Sequence, residues 1–205
     1  MIKEYAKKYM EDLIHNMGLI QVRLQNGQNQ NFSEGFEQAF QLITTQTGAG
    51  NKLMFIGNGA SASIASHMAT DYWKNGGVRA VAFNDSSLLT CVSNDYGYAR
   101  VFEKPIEMFA DPGDVLMAIS SSGESENILR GARAAREAEC RIITFSGFKE
   151  NNPLSSLGDL NFYVPSPSYG PVEIIHLSIC HALCDALITH KPRLPKPRLP
   201  KTPLL

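Results

Sequence analysis

The stretch Asp114-Val115-Leu116-Met117-Ala118-Ile119-Ser120-Ser121-Ser122-Gly123-Glu124-Ser125 decides the fold. Its first half is an unbroken apolar run of strand length, the pattern of a parallel strand covered on both faces. From Glu124 to Glu139 the small or apolar residues Ile128, Leu129, Ala132 and Ala135 recur at helical spacing. Four hydroxyls and a glycine therefore stand where a strand ends and a helix begins. In open α/β sheets that crevice is where ligands bind. A helix N-terminus offers unpaired N–H groups and a partial positive charge, so the turn reads as an anion cradle without a basic residue. The competing reading is a serine-rich helix cap and nothing more.

Working outward, a second loop of the same design lies upstream. Lys52-Leu53-Met54-Phe55-Ile56 is a short apolar run, followed by Gly57-Asn58-Gly59-Ala60-Ser61 and a helix from Ala62 to about Lys74. The glycines let the backbone turn tightly and approach a ligand closely. No Gly-Lys-Ser/Thr follows, so this is not a P-loop, and Ala62 breaks the Gly-x-Gly-x-x-Gly dinucleotide pattern. Strand candidates fall at 52–56, 79–83, 114–119, 141–145 and 161–164, alternating with helices. That alternation predicts a doubly wound, five-stranded parallel sheet flanked by helices, an α/β fold of flavodoxin-like layout. Residues 1–48 read as helical: one long amphipathic helix from 2 to about 25, then 32–45 opened by Asn31 or Ser33 as a cap. The helix 171–188 carries Val172, Ile174, Ile175, Leu177, Ile179, Leu183, Ala186 and Leu187, apolar on most sides. Such a helix must be enclosed, and another subunit is a natural cover.

The chain has 205 residues, 43% of them hydrophobic, enough for one substantial core. Residues 1–189 read as one domain. No unbroken apolar run approaches the ~18 residues of a membrane span, and the first residues lack a signal-peptide pattern. Cys91, Cys140, Cys180 and Cys184 lie in or beside apolar segments without metal-finger spacing, which predicts reduced thiols and a cytoplasmic protein. Cys180 and Cys184, one helical turn apart, leave a thiolate metal pair as a lesser alternative. Residues 190–205 are a separate tail in which Lys-Pro-Arg-Leu-Pro occurs twice in succession. Such proline density favours extended polyproline II, either a docking peptide or a solubilising extension. The tail holds five basic and no acidic residues, so the chain's net −1 becomes −6 over residues 1–190. That balance argues against a nucleic-acid-binding body.

The two loops, together with His67, Asn94-Asp95-Tyr96-Gly97-Tyr98 and the helix carrying Glu173 and His181, resemble the sugar isomerase (SIS) domain family. Within it the chain is similar to the phosphoheptose isomerases of heptose biosynthesis, which interconvert sedoheptulose 7-phosphate and a heptose 7-phosphate. The resemblance covers roughly residues 1–188. It implies a homotetramer, with the N-terminal helices serving oligomerisation and the sites at subunit interfaces. It also implies that Ser61, Ser120, Ser121, Ser122 and Ser125 hold the phosphate and chain hydroxyls, with Asn58, Gly59 and Asp95 positioning the sugar. Where the family places His, Glu, Gln and His around the reacting carbons or a zinc ion, this chain has His67, Asp71, Glu173 and His181. Asp71 would carry the proton between two carbons, His181 would open the ring and protonate the oxygen, and a Zn²⁺ would be held by all four.

Two of those four positions depart from the family pattern. Asp is one methylene shorter than Glu, a displacement of about 1 Å of the kind that can cost a hundredfold in rate. Glu for Gln adds a charge that strengthens metal binding and repels an enediolate. Arginines expected near Asn75 and Val172 are absent. From the residues alone, His67 and Asp71, four apart on one helical face, read as a surface pair and His181 as a core histidine; it is the resemblance that favours a site. Glu173 and His181 are eight apart, about 12 Å along a helix axis and about 80° around it. They would meet only if neighbouring subunits supplied one each. The rival functions are a catalytically silent SIS-domain protein that binds a replication initiator and a sugar-phosphate sensor.

Overall fold

The computed structural model describes residues 1–190. In chain order the elements are α1 (Ile2–Gly18), β1 (Gln21–Leu24), β2 (Asn29–Gln30), α2 (Phe32–Gly48), β3 (Leu53–Gly57), α3 (Ala60–Lys74) and β4 (Ala80–Ala82). There follow α4 (Ser86–Tyr96), α5 (Glu103–Phe109), β5 (Val115–Ile119), α6 (Glu126–Glu137), β6 (Arg141–Gly147), β7 (Leu160–Val164) and α7 (Tyr169–His190). Short 3₁₀ turns stand at Tyr98–Arg100 and Pro153–Ser156.

The sheet order is β2-β1-β7-β6-β5-β3-β4. The five parallel strands appear as expected, and their spatial order, β4-β3-β5-β6-β7, is the flavodoxin-like one. Both faces are apolar because both are covered. Phe55, Met117, Ile143 and Phe145 pack with side chains of α2, α3 and α7, while Met54, Ile56, Leu116 and Ala118 pack with α5 and α6. Successive residues of each strand thus feed opposite cores.

The N-terminal region departs from the expected helix over 2–25 and raises the strand count from five to seven. Helix α1 stops at Gly18, and Gln21–Leu24 with Asn29–Gln30 forms a hairpin antiparallel to β7. Ile20 and Leu24 fit a helical spacing, but Asn26-Gly27 makes a turn with Gly27 at φ +84°. Val22 is then fully buried against Gly35 of α2, and the hairpin caps the sheet edge beside β7. Asn31 caps α2, its side chain accepting from the Glu34 N–H.

Helix α7 buries Val172, Ile175, His176, Ile179, Cys180, Leu183, Cys184 and Leu187 within the chain itself. Its length and composition would suffice to cross a bilayer, yet in this fold it is the main helix of one core. Ile174 and Ile188 remain exposed, as do Ile2, Tyr5, Met10 and Ile14 of α1. Cys140, Cys180 and Cys184 are buried free thiols, and Cys91 is an exposed one. Burial pushes the Cys184 thiol up to about 11 and the Cys180 thiol higher still, so both are protonated thiols in the metal-free chain. The tail 191–205 lies outside the described residues.

Candidate active site

Strands β3 and β5 are neighbours, and Gly57 pairs with Ile119 at their carboxyl ends. The chain then diverges: α3 packs on one face of the sheet and α6 on the other. The crevice between two such loops is the topological switch point of an open α/β sheet. Gly57 is required because a Cβ there would overlap the Ser61 carbonyl, and Gly123 because its φ is +64° and a Cβ would overlap the Asn152 side chain.

Between the loops lies a cavity of about 220 Å³. Asn58, Gly59 and Ser61 form one wall and Ser120, Ser121, Ser122 and Ser125 the other, with Tyr169 and Glu173 of α7 closing it. Among the described residues no basic side chain lines it. Ser125 is the N-cap residue of α6 but makes no capping hydrogen bond through its side chain. Ser121 Oγ is buried with no hydrogen-bond partner. The remaining serines brace the turn: Ser120 Oγ accepts from the Gly123 N–H at 3.2 Å, and Ser122 Oγ from the Glu124 N–H at 3.2 Å. Buried hydroxyls are usually paired, so Ser121 Oγ is an exception of the kind a bound anion would satisfy. Burial also raises the Glu173 carboxyl above its ordinary range.

A larger open groove of about 450 Å³, lined by Gln25, Arg141 and Asp159, lies at the opposite ends of the strands. Its Arg141 and Asp159 are already paired at 3.4 Å. It carries no loop chemistry.

The candidate acid–base groups stand on α3 and α7, which are held together by the Tyr72 hydroxyl donating to the Cys180 carbonyl at 3.2 Å. His67 Nε2 lies 3.3 Å and His181 Nδ1 3.8 Å from Asp71 Oδ2. The two imidazoles meet edge to face with centroids 5.2 Å apart. One donor atom from each of the three residues falls within 4.8 Å of the others, a spacing open to a metal ion. Two ring nitrogens and one carboxylate oxygen are a donor set that suits zinc with positions left free. Asn75, four residues beyond Asp71, donates to Asp71 Oδ1 at 3.3 Å and steadies the carboxylate.

Three of the four expected metal-site residues therefore converge in one chain. Glu173 does not join them, because eight residues of α7 separate it from His181, and it lines the serine cavity. Asp95 is not among the cavity-lining residues either. Its carboxylate is engaged by Asn94 at 2.9 Å and Cys91 at 3.7 Å on the exposed side of α4. Asn58 lines the cavity, but its side-chain amide bonds Asn127 and Tyr98. Sequence reasoning missed Tyr169, Asn75 and Asn127. Of these, Asn127, two residues past the serine turn, and Asn75, one helical turn past Asp71, carried a positional signal.

A family model described as the SIS domain matches residues 20–147. The phosphoheptose isomerase of Helicobacter hepaticus is 34% identical over 157 residues, covering 74% of this chain and 80% of that protein. The phosphoheptose isomerase of Citrifermentans bemidjiense is 36% identical over 159 residues, covering 75% and 82%. Among solved structures, phosphoheptose isomerase GmhA from Neisseria gonorrhoeae superposes with a TM-score of 0.82 at 28% identity, covering 92% of this chain and all of that one.

Proposed function

The chain belongs to the phosphoheptose isomerase family of SIS-domain proteins, and on that premise we propose that it interconverts sedoheptulose 7-phosphate and a heptose 7-phosphate through an enediol. It is an aldose–ketose isomerase. The observation that carries the substrate class is the buried, unpartnered Ser121 hydroxyl in a cavity walled by two strand-to-helix turns. Phosphate oxygens would take up that hydroxyl, those of Ser61 and Ser125, and the free N–H groups at the start of α6.

The His67–Asp71–His181 group supplies the acid–base chemistry. Asp71 takes the proton alpha to the carbonyl and returns it to the neighbouring carbon. His181 opens the sugar ring and delivers a proton to the oxygen. Two titratable groups within 3.8 Å of one another suit a transfer between adjacent atoms. A zinc ion held by His67, Asp71 and His181 would polarise the carbonyl and stabilise developing negative charge. Glu173 lines the phosphate end of the cavity and would reach such an ion only from a neighbouring subunit.

The exposed apolar side chains of α1 and α7 support a homotetramer whose sites lie at subunit interfaces, with Asp95 reaching a sugar only across such an interface. We assign residues 1–189 to one catalytic domain of a cytoplasmic enzyme, with 190–205 as an appended tail. Incubating the protein in D₂O with five-, six- and seven-carbon ketose phosphates and following the alpha proton by NMR tests the reading. Exchange and aldose formation with the seven-carbon substrate are expected. No exchange with any of them would replace the enzyme with a sugar-phosphate-binding regulator.

A further inference from the structure

We propose that Asn127 is a positioning residue for the anion cradle, acting through a reciprocal amide pair with Asn58 that fixes the spacing of the two loops. The inference rests on the sugar-phosphate reading of the cavity. The loops after β3 and β5 leave the sheet toward opposite faces, so backbone pairing between them ends at Gly57 and Ile119. Beyond that point the structure ties them with side chains. Asn58 Nδ2 donates to Asn127 Oδ1 at 2.9 Å, and Asn127 Nδ2 donates to Asn58 Oδ1 at 2.9 Å.

Each amide oxygen is filled. Asn58 Oδ1 also accepts from the Tyr98 hydroxyl at 3.1 Å, and Asn127 Oδ1 also accepts from the Ile128 N–H at 3.0 Å. Two lone pairs on each oxygen are then used, which leaves Asn58 no acceptor for a sugar hydroxyl. Asn127 is only 3% exposed and does not line the cavity, so it does not touch the anion. It stands in the first turn of α6, two residues after Ser125, and holds that turn against the Asn58-Gly59 turn across the crevice. The width of the cradle is thus set by one amide pair joining residues 69 apart in sequence. Tyr98 extends the tie to the turn after α4.

A double-mutant cycle separates this role from a direct contact. The dissociation constant of inorganic phosphate is measured by titration calorimetry for the wild type, Asn58→Ala, Asn127→Ala and the double variant. Each single change is expected to weaken binding about tenfold and the double change by about the same factor, because either one breaks the whole pair. In turnover KM should rise with kcat held, since the pair braces the cradle and not the His67–Asp71–His181 group. Should Asn127→Ala fail to fold, Asn127→Ser takes its place, keeping a hydroxyl for the Ile128 N–H while losing the pair. Penalties that multiply in the double variant, or Asn127 variants that bind phosphate like the wild type, overturn the proposal, as does a wild type that binds no phosphate. A wild type that binds phosphate, shows the coupling and isomerises no ketose phosphate removes the functional reading and leaves this one standing.

Discussion

His176 should make the protein acid-labile through one buried ring. It is fully buried on α7, its Nε2 is 3.1 Å from the Ser146 carbonyl, and its ring meets Phe145 edge-on with centroids 5.8 Å apart. Nδ1 has no partner among the described residues, so the ring is held neutral as an Nε2–H donor. Burial pushes its pKa down to about 4, against 6.5 for a free histidine, and the bond to Ser146 only partly opposes this. The unfolded chain therefore binds this proton more readily than the folded one. The neutral ring costs nothing above pH 6.5, and stability falls as pH drops from 6.5 toward 4. Across that window the unfolding equilibrium should rise tenfold per pH unit from this group alone, about 3 kcal/mol in all. The assay is urea unfolding at fixed protomer concentration, from pH 7.5 to pH 4.5, for wild type and His176→Leu. The other histidines cancel in the difference. His176→Leu should lose ground to the wild type at neutral pH and recover it progressively below pH 6.5. Parallel stability curves for the two proteins would refute a buried neutral imidazole at this position.

Ser121→Ala should leave stability unchanged or raise it by up to about 1 kcal/mol, since its Oγ has no partner to lose, while weakening phosphate binding at least about tenfold in calorimetry. Gly123→Ala should cost about 2 kcal/mol or more in denaturant unfolding, because a left-handed φ of +64° and contact with Asn152 both oppose a Cβ. Asp71→Asn keeps the side-chain shape and loses its basicity, so alpha-proton exchange in D₂O should vanish while circular dichroism is unchanged; substantial residual exchange would move the base to His181 or Glu173. Mixing inactive Glu173→Ala and His181→Ala proteins and allowing subunit exchange should restore activity if each site draws on two chains, and mixed oligomers without activity would place the two residues' work in one chain.

The parallel sheet was legible because its strands are short apolar runs, and because helices follow the glycine and serine turns after β3 and β5; between β6 and β7 only a 3₁₀ turn intervenes. The hairpin over 21–30 was not, since Ile20 and Leu24 keep helical spacing and its strands exist only through pairing with β7. Likewise α4 is short and only partly buried, its stripe of Leu88, Leu89 and Val92 being set among polar residues. The i, i+4 pair His67 and Asp71 could be seen as neighbours from spacing alone. That His181 completes the group could not, because it depends on the packing of α7 against α3. The fate of Asn58 was hidden for the same reason: its partner Asn127 is distant in the chain, and only the sheet order brings them together.

In the proposed site, the two helices that leave the cavity would hold phosphate and reacting carbons apart. Ser61 lines the cavity and His67 belongs to the reacting group, six residues along α3, or about 9 Å at the helical rise. On α7 the same two regions are marked by Glu173 and His181, about 12 Å apart. On the proposed reading both helices run from an anion-binding end to an acid–base end, and the substrate would bridge that length with its phosphate and its carbonyl at opposite termini. A long-chain sugar phosphate meets that requirement better than a short one. The same lengths govern Glu173. Within its own chain it lines the serine cavity, where its negative charge would oppose an anionic ligand. To serve as a metal ligand it must reach the other end, and only a second copy of α7 offers that geometry. The exposed Ile174 and Ile188 lie on the same helix, so the surface that would bring such a copy into place is the one that carries Glu173 and His181.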